Sequence, residues 1–195
     1  MRGFTLIELL VSVAIFTIVM VVALGALLAI AEADRKAQTL KTITNNLGSA
    51  VESMSRSIRT GSNYRCGSSS GVDCPSPGAT SLYFRPIGGG EWAYRWNSNT
   101  LNPHCQNALG CIQRSQDGGA NWADITAPEV VVLNPITAGS GPGLTFYLFG
   151  STQGCPGDCV QPKVTILLRG YVKVTEALNS KFDLQTTITQ RIYDQ

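Results

Sequence analysis

One histidine, His104, in 195 residues leaves little material for imidazole acid–base chemistry or for a histidine-rich metal centre. Charge is scarce as well: 14% of residues are Asp, Glu, Lys or Arg, against roughly 25% in soluble domains. The formal net charge of +2 produces no field that would select nucleic acid or another polyanion as the main partner. No proline precedes Pro75, and residues 9–31 hold no charge, proline or asparagine.

The six cysteines are Cys66, Cys74, Cys105, Cys111, Cys155 and Cys159. They fall into three local pairs without the Cys-x-x-Cys spacing of a zinc knuckle. Each pair brackets a short loop rich in Gly, Pro or Asn. Six cysteines allow fifteen connectivities, of which nearest-neighbour disulfides 66–74, 105–111 and 155–159 are the favoured expectation, in a domain outside the reducing cytosol.

At about 1.5 Å per residue, the 23-residue apolar run extends roughly 35 Å, enough to span a bilayer. Past Glu32, Asp34, Arg35 and Lys36, apolar residues recur at Leu40, Ile43, Leu47, Val51, Met54 and Ile58. Steps of three and four mark one helical face. With the first stop at Thr60-Gly61, one helix is predicted over about residues 4–60, roughly 85 Å long, with Gly25 and Gly48 as its weak points. Beyond Arg65 the period falls to two. Leu82/Phe84 and Trp92/Tyr94/Trp96 read as a hairpin around Pro86-Ile87-Gly88-Gly89-Gly90, and residues 112–115 and 122–125 flank a second turn at 116–121. Residues 130–133, 144–149 and 164–174 supply further strands. Phe182, Leu184, Ile188 and Ile192 line one side of a closing half-buried strand. The fold class is α+β.

Glu8 stands near the start of the apolar span in Met1-Arg2-Gly3-Phe4-Thr5-Leu6-Ile7-Glu8. A carboxylate there is costly, up to about 3 kcal/mol at a membrane helix centre, and needs a counter-charge. If the chain is cut behind Gly3, the new amine of Phe4 lies about 6 Å of helical rise from the Glu8 position. In a staggered stack, one subunit's amine meets a neighbour's Glu8.

Gly3-Phe4-Thr5-Leu6-Ile7-Glu8 resembles the prepilin processing motif of type IV pilins and type II secretion pseudopilins. The resemblance covers about the first 30 residues. It implies cleavage after Gly3 by a prepilin peptidase, N-methylation of Phe4 and charge pairing through Glu8. The expected boundaries are a leader over 1–3, a membrane and filament-core helix over 4–31, its amphipathic half over 32–60, and an extracytoplasmic β-rich head over 61–195. The turn after Ile112-Gln113-Arg114 and the closing Thr186-Thr187-Ile188-Thr189-Gln190-Arg191 are similar to J-type minor pseudopilins and related minor pilins. Implied partners are the membrane, other pilin or pseudopilin subunits, the peptidase and methyltransferase, and an inner-membrane assembly platform. The implied location is the inner membrane, single-pass with the N-terminus cytoplasmic, and then the filament. No cofactor and no enzymatic activity are implied.

Other readings compete for the same residues. A secretory signal would end at Ala29-Ile30-Ala31 or Ala31-Glu32-Ala33, but its apolar core is usually 7 to 15 residues long. A plain membrane anchor explains neither Gly3-Phe4 nor Glu8. Asp117, Asn121 and Asp124 offer oxygen to calcium, but they also suit a turn. Trp92, Tyr94 and Trp96 with Arg85 and Arg95 form either a core-facing strand or an aromatic, basic platform for single-stranded DNA or a glycan.

Overall fold

The computed structural model describes residues 5–67, 73–98, 110–134, 141–151, 160–175 and 178–191. Among the described residues a single helix, α1 (Leu6–Arg59), precedes twelve strands: β1 (Ser62–Cys66), β2 (Cys74–Ala79), β3 (Ser81–Arg85), β4 (Trp92–Asn97), β5 (Cys111–Ser115), β6 (Ala123–Asp124), β7 (Val130–Val131), β8 (Leu133–Asn134), β9 (Gly141–Pro142), β10 (Leu144–Phe149), β11 (Lys163–Thr175) and β12 (Leu178–Thr189). The fold is α+β and pilin-like. The chain divides into two units, residues 1–41 and 42–195.

The first unit is helical from Leu6 onward, and its apolar side chains are exposed from Leu6 to Ala37, with Leu40 half-buried. The helix is long and apolar enough to cross a membrane. It continues unbroken through Gly25 and through both places where a secretory signal would end.

The second unit is built on two antiparallel sheets, ordered β1-β3-β4-β5-β6 and β12-β11-β10-β2, with β7 on β11 and a separate β8-β9 pair. Ile43, Leu47, Ala50, Met54 and Ile58 of α1 are buried. Ile43, Leu47, Met54 and Ile58 join one core with Tyr64, Leu82, Phe84, Tyr94 and Ile112 of the first sheet and Phe146, Leu148, Ile166, Leu168 and Ile188 of the second. The predicted stripe is thus the face that packs, because spacing of three and four keeps these side chains on one side of the helix.

Carbonyls left over at the helix C-terminus are met by distant groups. The Tyr64 hydroxyl lies 2.6 Å from the oxygens of Ile58 and Gly61, Gln190 Nε2 donates to Gly61 O, and Arg191 N donates to Arg59 O. A second tie holds the helix flank, where Asn46 Oδ1 accepts from Ala127 N at 3.0 Å.

One expectation changes, and one strand appears that the sequence reading did not name. Cys74-Pro75-Ser76-Pro77-Gly78-Ala79 forms a strand despite its prolines, because β2 lies at a sheet edge where a missing N–H breaks no ladder. The closing strand is less covered than its alternation suggests. Ile188 is buried and Phe182 half-buried, while Leu184 is 41% exposed, because β12 is also an edge strand. Ile192 lies outside the described residues.

A disulfide joins Cys66 to Cys74 and so connects the end of β1 to the start of β2, in different sheets. Cys111 is also disulfide-bonded. Cys105, Cys155 and Cys159 lie outside the described residues. Closing a loop as short as 66–74 removes about 2.5 kcal/mol of unfolded-chain entropy. Cys66→Ser with Cys74→Ser should therefore lower the unfolding free energy by about 2 to 3 kcal/mol, read from urea unfolding of the full chain.

Candidate maturation and assembly site

Helix α1 opens at Thr5, whose carbonyl accepts from Glu8 N at 3.1 Å and Leu9 N at 3.3 Å. Glu8 therefore sits in the first helical turn, where the positive end of the helix dipole favours a carboxylate. Around it Leu6, Ile7, Leu9 and Leu10 are all exposed. The hydroxyls of Ser12 and Thr17 bond back to the carbonyls of Leu9 and Ala14, each at 2.9 Å, so the helix satisfies them internally. Glu8 has no such recourse, because its charge exceeds what a backbone donor neutralises. It is the one charged side chain in residues 5–31. Gly3 and Phe4 lie outside the described residues.

Residues 1–31 match the model of the prokaryotic N-terminal methylation motif. No curated protein and no solved structure matches the chain. The motif and the long apolar helix support a type IV pilin-like protein, anchored in a membrane and processed by a prepilin peptidase. They also support assembly with other pilins and a structural rather than catalytic part.

The head residues weighed for ligands have structural duties. The Asp117 carboxylate accepts from Ser115 Oγ at 2.6 Å, Asn121 N at 2.9 Å and Asn121 Nδ2 at 2.6 Å. Asn121 thus presents donors, not oxygen, to Asp117. Asp124 Oδ1 is engaged separately, by Gln113 Nε2 at 2.9 Å. Turn chemistry engages these side chains, and among the described residues no group of three His, Cys, Asp or Glu side chains is placed to hold a metal ion.

Donation by the Asn121 backbone, then by Ser115 and the Asn121 side chain, holds Asp117 at about 2, below the ordinary 3.8. The sign follows: a depressed carboxyl stabilises the fold fully above its unfolded value and loses that contribution as pH falls through the folded one. An NMR titration should place the Asp117 carboxyl near 2. Asp117→Asn should flatten the stability curve between about pH 4 and 2 and leave its slope near neutrality unchanged.

The aromatic, basic platform is likewise taken apart. Tyr94 is fully buried and stacks on Phe84 at 5.8 Å, while Trp96 Nε1 donates to Val132 O at 2.6 Å. Trp92 is half-buried with the Arg114 guanidinium 5.5 Å from its ring. On the opposite face Arg95 stacks on Trp122 at 3.9 Å and donates to Gln113. Arg85 remains exposed, apart from these rings' stacking partners. His104 lies outside the described residues.

Buried Gln113, Gln190 and Ser115 have no periodic signature and escaped the sequence reading. Gln113 and Gln190 find partners on neighbouring strands or at the far end of the chain and Ser115 finds its own within the next turn, so pattern alone does not single them out.

Proposed function

We propose that the chain is a minor pilin or pseudopilin. It is cut after Gly3, N-methylated on Phe4 and built into an extracytoplasmic filament in which Glu8 meets the Phe4 amine of a neighbour. The observation that carries this reading is the methylation motif at the head of an apolar helix whose one charge, Glu8, has no opposite charge within the span. The same 31 residues would serve first as a membrane anchor and then as a filament core.

In this reading the N-terminus faces the cytoplasm of the inner membrane and the head faces outward, in keeping with the Cys66–Cys74 disulfide. The late turn and closing segment that resemble J-type subunits favour a minor position in the filament. The head contributes surface, not catalysis.

Intact mass spectrometry of protein extracted from membranes tests the maturation step. The expected species begins at Phe4 and carries one added methyl group. A chain that begins after Ala31 or Ala33 would overturn the reading.

A further inference from the structure

The C-terminal end of α1 carries more positive charge than its local structure requires. An open cavity of about 380 Å³ there is lined by Glu52, Ser55, Arg56, Arg59, Thr60 and Arg191. Arg56 and Arg59 occupy the last turn, where the dipole places about half a negative charge. Arg56 also faces Glu52 at 3.5 Å, an exposed pair of the kind that contributes little. Arg59 and Arg191 have no side-chain hydrogen bond or ion pair among the described residues. Three guanidinium groups set against one carboxylate and a helix end leave between one and two positive charges unmatched.

Arg191 is brought to this place by structure remote in sequence. Its N–H donates to Arg59 O at 2.8 Å. The preceding residue, Gln190, is 3% exposed and donates from Nε2 to Gly61 O across 129 residues, while Gln161 donates to its carbonyl. A buried polar clamp thus fixes the backbone beneath the third arginine, while the charged heads of all three stay exposed.

We propose that this cavity binds a phosphomonoester on a sugar-sized carrier. The unmatched charge suits a dianion of that type, about −1.5 to −2 at neutral pH. Planar guanidinium forks bond tetrahedral oxyanions in pairs, which a lysine cluster does less well. The volume exceeds that of a lone phosphate, and Ser55 adds a hydroxyl for the remainder beside Thr60, whose hydroxyl donates to the Arg56 and Ser57 carbonyls and is left to accept. This site is independent of the assembly reading, so its failure leaves that reading intact.

The test is calorimetric titration of the full-length chain in non-ionic detergent with ribose 5-phosphate, ribose, and a single-stranded oligonucleotide that has no terminal phosphate. Saturable binding is expected for ribose 5-phosphate and none for ribose. Arg59→Gln with Arg191→Gln should weaken it by about tenfold per arginine, the loss of one charge-assisted hydrogen bond each. Lys181→Gln removes an exposed charge from the far part of β12, where Lys181 pairs with Tyr171, and should leave binding unchanged. Glu52→Gln, which deletes the opposing carboxylate from an exposed helical position, should tighten it. Three outcomes overturn the proposal: no saturation by ribose 5-phosphate, a Lys181→Gln loss equal to that of the double variant, or binding of the oligonucleotide alone.

Discussion

Gly170→Ala is expected to leave the head unfolded, or less stable by about 3 kcal/mol or more in urea unfolding. A Cβ at Gly170 would lie 2.1 Å from Val131 O and 2.6 Å from Phe182 Cζ. The first contact is backbone, so relief requires β7 to separate from β11, where Tyr171 pairs with Val131. The second is the ring paired across the β11–β12 ladder, Gly170 opposite Phe182, which fills the space the glycine leaves. Helical Gly48 meets nothing within 4 Å of an added Cβ. The same substitution there should raise stability by about 0.5 to 1 kcal/mol, since alanine gives up less backbone entropy in a helix. Opposite signs from one chemical change separate steric exclusion from helix propensity.

Glu8→Ala should leave membrane insertion and head folding intact and abolish or sharply reduce entry into filaments. Removing a carboxylate from an apolar span eases insertion by up to about 3 kcal/mol, so lost assembly is not a bilayer effect. What disappears is the counter-charge for a neighbour's Phe4 amine. Filaments sheared from cells are blotted for this subunit, with whole-membrane levels as the control. If the variant enters filaments as well as the parent chain does, Glu8 has no recruiting role. Cleavage before Phe4 is read separately by mass, so maturation and recruitment fail independently.

The two expectations draw on different layers of the molecule. Glu8 was legible at once, because a charge inside an apolar run violates the pattern around it. Gly170 was not: in the sequence it is one glycine in a strand-like stretch, and its constraint arises only when β7 and β12 close on it. The strand β2 was not named from the sequence either, because only the edge position that the sheet gives it tolerates its prolines.

By itself the sequence determined what depends on neighbours along the chain. These are the apolar length of residues 9–31, the 40–58 stripe and the strand periods of the head. The N-terminal motif belongs here too, as does the short loop between Cys66 and Cys74. Each follows from spacing, since the helix repeats every 3.6 residues and the strand every two. Tertiary structure alone decided which groups of like chemistry serve which purpose. Asp117 became a turn acceptor because Ser115 and Asn121 aim their donors at it. Arg95 became a covering side chain because Trp122 folds beneath it. Arg191 joined Arg59 because a buried glutamine holds two distant backbone segments together. Residue type supplies the donors and charges, but only packing sets their direction, and direction decides whether a polar group is already satisfied or left for a ligand.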